Sequence, residues 1–339
     1  MFQKNNLTRI LTSAATVAAL ILIAPAAKAD TLTGAGSTFI NPIMSQWSHH
    51  YKDETGTEVN YQSIGSGGGI NMFINQTVDF AGTDVPMNPG EKAQVKGGYV
   101  TIPDILGAVV VGYNIPGVGA GIHLSGPVLA DIFQGKITVW NDPRITALNP
   151  GTTFPNDNIL VVHRSDGSGT TAIFTDYLSK VSGDWRNNIG SGKSVNWPTG
   201  LGGKGSEGVA GYLKTKPCSI GYFELAYAIT KVIYYAAIEN KKGNFIYPFD
   251  ASSATKAAEG EPMPGNLEMS ITNTSNPEGY PISGYSYLIV PEHSQTSPAV
   301  KKFVTWIITK GQDPSIVAPL HYAPIPDAVR DRALALLAK

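Results

Sequence analysis

The stretch DGSGTT, residues 166–171, sets an acid, two glycines and three hydroxyls two residues after Arg164. It lies between the apolar run NILVVHR and the helix-period run TAIFTDYLSK. Glycines let backbone N–H groups converge, hydroxyls add donors, and a helix opening there turns the positive end of its dipole to the same spot. Those residue types in that order fit an anion, and Arg164 adds a forked, permanently charged donor. The device recurs twice. GAGSTF (34–39) precedes a run in which Ile43, Met44, Trp47 and Tyr51 share one face, and GSGGG (65–69) precedes Ile70, Phe73 and Ile74 at helical spacing. Ile173, Phe174, Tyr177 and Leu178 form the matching stripe after DGSGTT. A Gly/Ser cluster by itself commonly just caps a helix. Three of them with one arginine could hold an oxyanion largely on backbone N–H groups.

Positioning such termini requires strands that deliver them to one place. β-rich runs alternate with helix-period runs: EVNYQSIG then GGINMFINQTV, ILGAVVVGYNI then SGPVLADIFQG, NILVVHR then TAIFTDYLSKV. That order predicts an α/β protein with mainly parallel sheets and helices on both faces. Val232 to Tyr280 has no clear periodicity and supports no fold assignment. YSYLIV and SPAVKKFVTWIITKG return to strand and helix. Candidate crossings between two lobes fall at 112–117 (GYNIPG) and 280–286 (YPISGYS), and two linkers permit hinge closure over a cleft.

The first 29 residues read as an export signal: Lys4 and Arg9, an apolar middle, and AKA ending at Ala29 as cleavage site. The apolar run is shorter than the ~20 residues of a spanning helix. Cleavage after Ala29 leaves 310 residues, long enough for two lobes, with 22 basic against 26 acidic side chains, a net of -4. This balance speaks against nucleic acid as a partner. Cys218 is the single cysteine, excludes an internal disulfide, and is expected to be a small buried hydrophobe. GLGGKG (200–205) matches a dinucleotide fingerprint in letters only, and a tight loop is expected there. No Walker motif, no H-E-x-x-H and no Cys/His cluster occur, so neither ATP hydrolysis nor a catalytic metal is expected. Ser168 lacks a nucleophile elbow, since Asp166 stands where glycine would be required.

GAGSTF, VNYQSIGSGGG, TVDFAGTDVPM, RSDGSGTTAIFTDYL and NWPTGLGGKGSEGVAGYL occur in that order. Together they resemble the periplasmic phosphate-binding proteins of phosphate-specific ABC transporters over nearly the whole mature chain. The resemblance implies a two-lobed type II periplasmic-binding fold, two α/β domains joined by a two-stranded hinge. Lobe I would comprise residues 30–113 plus 286–339, and lobe II residues 114–285. It implies an exported, periplasmic, monomeric, non-enzymatic receptor without cofactor, which closes on inorganic phosphate and delivers it to inner-membrane permease subunits. Carried over by motif, the phosphate ligands are Thr38, the Phe39 N–H, Ser66, the buried acid Asp84, Arg164, Ser168, Gly169 and Thr170. Asp166 would pair with Arg164 and align it.

A carboxylate at position 84 can accept a hydrogen bond from a P–OH group, whereas an aprotic sulfate oxygen would meet it lone pair to lone pair. Two positions depart from the family pattern: His163, where a second arginine is common, and Gly67, where a second serine is common. Strand alternation turns His163 away from the side chain of Arg164. Two other readings stay open from sequence: an exported phosphomonoesterase using Ser168 or a cleft water, and a secreted adhesin or signalling protein reusing the fold.

Overall fold

The computed structural model describes residues 31–249 and 252–338, and the expected export signal with its cleavage site lies outside the described residues. β-branched and aromatic runs form the strands β1 (Thr31–Gly36), β2 (Glu58–Ser63), β3 (Phe80–Thr83), β4 (Tyr99–Asn114), β5 (His123–Leu124) and β6 (Leu160–Arg164). They continue as β7 (Leu201–Gly203), β8 (Ser219–Glu224), β9 (Tyr234–Tyr235), β10 (Ala237–Glu239), β11 (Phe245–Ile246) and β12 (Ser283–Pro291). The main sheet runs β2-β1-β3-β12-β4-β8-β6-β7, with β9 also on β4, and β11-β10-β5 form a small second sheet.

The parallel sheet expected from the alternation holds at the two flanks and not in the middle. β1 pairs in parallel with β2 and β3, and β6 with β7 and β8, but β12 and β8 both run antiparallel to β4. Strand β4 explains the difference. It is 16 residues long, almost wholly buried, and serves both halves of the sheet. Tyr99 to Ala108 pair with β12, while Val109 to Asn114 pair with β8. The exchange of partners falls between Ala108 and Val109, inside the strand and ahead of the 112–117 stretch. The Val109 N–H donates to Ile282 O at 2.8 Å, which sets the start of β12 beside that exchange.

Four helices follow parallel strands at their carboxyl ends: α1 (Asn41–Thr55) after β1, α2 (Ser66–Ile74) after β2, α3 (Gly169–Val181) after β6 and α4 (Gly205–Thr215) after β7. The apolar stripes read from the sequence are the buried faces of the first three, with Ile74 only half-buried. The carboxyl ends of parallel strands, with helix N-termini beside them, are where α/β proteins place ligands. The C-terminal residues return to the first half: Phe303 packs on Tyr51 and Phe80, and Tyr322 donates its hydroxyl to Phe39 O at 2.5 Å. Val232 to Tyr280, unassigned from sequence, holds β9, β10, β11 and the helix Ser252–Glu259. Cys218 is half-buried rather than buried, at φ 58° in the left-handed region, with its thiol 3.7 Å from Asp157 Oδ2.

Candidate anion-binding site

The two halves of the sheet meet along their strand ends. From the first half come Thr38 after β1, Ser66 at the head of α2 and Asp84 after β3; from the second come Arg164 at the end of β6 and the head of α3. Thr38, Ser66, Asp84, Arg164, Ser168 and Thr170 are each at most 3% exposed, an unusual concentration of buried polar side chains. Gly169 N–H donates to Ser66 Oγ at 3.1 Å, and Thr170 Oγ1 donates to Asp84 Oδ2 at 3.2 Å. Ser206 N–H donates to Thr38 Oγ1 at 3.1 Å, and Gly67 N–H donates to Gly167 O at 2.8 Å. Lys193 spans the same gap to Glu91 at 2.6 Å. The cleft is therefore closed, and every one of these bonds joins one half of the sheet to the other.

Asp84 stands at the centre. Ser37 donates its hydroxyl to Oδ1, Ser286 Oγ lies 3.3 Å from the same oxygen, and Thr170 serves Oδ2. A carboxylate offers about four lone-pair sites, so three donors leave about one for a further partner. Burial raises the Asp84 pKa from 3.8 to about 6, against the pull of Ser37, Arg164, Thr170 and Ser286.

Arg164 is the buried cation. Its Nε and Nη2 donate to Asp166 Oδ1 and Oδ2 at 2.8 and 2.5 Å, while Nη1 reaches Ser206 Oγ at 3.5 Å. Burial works against the guanidinium charge, but the forked pair with Asp166 outweighs it and holds the Arg164 pKa above its usual value. Burial likewise acts to raise the Asp166 carboxyl, and Arg164 and the Gly205 N–H pull it below the usual range instead. Breaking such a pair from one side leaves an uncompensated buried charge.

Besides the Gly169 N–H and the Thr170 hydroxyl, two further expected site groups already have partners within the protein. The Phe39 N–H donates to Ser37 Oγ at 3.0 Å, and Ser168 Oγ caps α3 by accepting the Thr171 N–H at 3.0 Å. Both remain within a residue of the network. Sequence reasoning missed Ser206, Ser37 and Ser286. The region expected as a tight loop at 200–205 is strand β7 running into α4, and Ser206 is wholly buried in the first turn of that helix. The signal was present: GGKGS ahead of an amphipathic run is the same Gly/Ser device seen three times elsewhere. Ser286 offered no such signal, because it reaches Asp84 only through the pairing of β12.

The two departures from the family pattern have local explanations. His163 stacks on Trp197 with ring centroids 4.8 Å apart and turns Nδ1 to the Arg164 carbonyl. At Gly67 a Cβ would stand 3.1 Å from Gly167 Cα and 3.2 Å from its carbonyl oxygen, so glycine lets the two backbones touch.

The chain matches the family model of the PBP superfamily domain over residues 24–310. It is 43% identical over 307 residues to the phosphate-binding protein PstS of Haemophilus influenzae, covering 89% of this chain and 91% of that one. It is 44% identical over 308 residues to the phosphate-binding protein PstS of Pasteurella multocida, covering 89% and 88%. The crystal structure of a phosphate-binding protein from Stenotrophomonas maltophilia superposes with a TM-score of 0.66 at 20% identity, covering 91% of this chain and 94% of that one. The two-lobed α/β fold expected from sequence is the fold of that protein. The chain belongs to the PBP superfamily and, within it, to the family of the phosphate-binding proteins PstS.

Proposed function

We propose that this chain binds inorganic phosphate between its two lobes and hands it to the permease of an ABC transporter. The observation that carries this reading is Asp84. It is a buried carboxyl with three hydroxyl neighbours and about one acceptor position left, set among four helix N-termini and opposite a buried arginine. A tetrahedral anion carrying one proton suits that arrangement. Its proton goes to Asp84, which Thr170 holds; its other oxygens face Arg164, the hydroxyls of Thr38, Ser66 and Ser168, and the N–H groups of Phe39 and Gly169, which exchange Ser37 Oγ and Ser66 Oγ for the ligand. Asp166 aligns Arg164 and offsets its charge, so that hydrogen-bond geometry decides what is bound.

The lobes divide as residues 30–113 with 286–339 and residues 114–285. The hinge runs through β4 and the start of β12, and cleft closure is the event the permease reads. The protein is an exported, periplasmic monomer that binds and releases without turnover. Ser168 acts as a helix cap rather than a nucleophile.

Isothermal titration tests the reading. One tight phosphate site with little competition by sulfate is expected, together with no hydrolysis of a chromogenic phosphate ester. Tight sulfate binding at the same site, or ester turnover abolished by Ser168→Ala, would overturn it.

A further inference from the structure

Asp104 is a second buried acid close to Asp84, and nothing in the reading above uses it. It lies on β4 at a break in register: Ser286 pairs with Ile105 and Tyr287 with Pro103, so the pairing skips Asp104. Its backbone carbonyl is held by Gln312 Nε2 at 3.0 Å, which pins the bulge. Its side chain is wholly buried, and neither carboxyl oxygen has a hydrogen-bond partner among the described residues. An ionised carboxylate in that position would carry a full desolvation penalty. Burial and then the neighbouring charge of Asp84 drive its pKa well above the usual range, which favours the neutral acid with one O–H to donate.

The groups around it narrow the choice of partner. Asp84 approaches from the end of β3, Tyr61 from β2, and Ser286 and Tyr287 from β12. Arg164 and Glu224 act on the cluster through Asp84. Of these, Tyr61 and Ser286 act on both acids, Tyr61 through charge alone and Ser286 through its hydroxyl. Its Oγ is 3.3 Å from Asp84 Oδ1 and also 3.3 Å from Thr83 O, so its one proton has two acceptors to choose between. An ionised Asp104 would be a third acceptor, drawing that proton off and repelling Asp84 as well. A protonated Asp104 does the reverse, filling a lone pair of Ser286 Oγ and leaving its O–H for Asp84.

We propose that Asp104 is a positioning residue of the anion site: its O–H donates to Ser286 Oγ and directs the Ser286 O–H to Asp84. Asp104, Ser286 and Asp84 then form one hydrogen-bond chain that ends at the proton of the bound phosphate. This rests on the phosphate reading of Asp84. The chain fixes which lone pair of Asp84 stays open, and it keeps the second acid neutral behind a site built to take an anion.

Infrared difference spectroscopy and calorimetry on the mature protein test this together. At pH 8 a protonated-carboxylic C=O band is expected that vanishes in Asp104→Asn, shifts in Ser286→Ala, and shifts again when inorganic phosphate is added. Glu224→Gln identifies the band of the other buried acid. Asparagine keeps a neutral N–H donor, so Asp104→Asn should hold phosphate affinity within about threefold, and Asp104→Val should weaken it about 3- to 10-fold, as for one neutral hydrogen bond. In a Ser286→Ala background that loss should disappear. A band indifferent to Asp104→Asn, or a valine penalty undiminished without Ser286, overturns the inference while leaving phosphate binding in place. Absence of any phosphate binding by the unaltered protein would instead remove the functional reading itself. Should Asp104→Val not fold, the band assignment with asparagine decides alone.

Discussion

Asp84→Asn should pull binding and stability in opposite directions. The substitution keeps the shape: Oδ1 still accepts from Ser37 and Ser286, and the new amide donates to Thr170, whose hydroxyl turns to accept. What disappears is the acceptor for the ligand proton. A hydrogen bond to a charged group contributes about 1.5–3 kcal/mol, so phosphate affinity should fall roughly 10- to 150-fold. Sulfate, no longer opposed by a carboxylate, should bind better than to the unaltered protein.

The fold without ligand should respond the other way. The Asp84 pKa rises from 3.8 to about 6 on burial, so the folded protein holds more protons than the unfolded chain between those pH values. Stability therefore falls as pH rises through that window, and the whole deficit is present above about pH 6. The difference corresponds to roughly 3 kcal/mol at most. Asparagine has no such deficit, so the unliganded variant should melt higher at pH 7.5, with the advantage fading toward pH 4. Thermal melts at both pH values, with titrations of phosphate and sulfate, read both effects. Unchanged phosphate affinity, or a lower melting temperature at pH 7.5, would refute the reasoning.

Arg164→Lys keeps the charge but cannot make the forked pair with Asp166, so phosphate affinity should fall at least tenfold by calorimetry. Gly67→Ser places a Cβ 3.1 Å from Gly167 Cα, where backbone must shift; solution scattering with phosphate should show a less closed molecule, and affinity should drop several-fold. Lys193→Ala removes the bridge to Glu91 at the cleft edge; phosphate should leave faster in stopped flow, less than tenfold, with the contrast shrinking in high salt.

Much of the site is written in short stretches of the chain. Local rules suffice for a Gly/Ser cluster followed by an amphipathic stripe, because cap, dipole and apolar face are all written within one or two helical turns. The heads of α1, α2 and α3 were legible for that reason, and so was Arg164 beside them. Strand alternation alone turns His163 away from the side chain of Arg164. The same device stands before α4, but there the letters GLGGKG also fit a tight loop, and nothing local decides between the two for Ser206.

Tertiary structure decided what depends on residues far apart in the chain. The parallel expectation failed at β4 because a strand shared by both halves of the sheet takes its direction from each partner, β12 and β8, which lie more than a hundred residues downstream. Ser286 reaches Asp84 across 202 positions, and Thr170 reaches it across 86. No periodicity encodes such separations. The desolvation that raises the pKa of both Asp84 and Asp104 is likewise a property of the closed interior. Sequence placed the donors at helix heads; only the packing of one half of the sheet against the other brought them around a single buried acid.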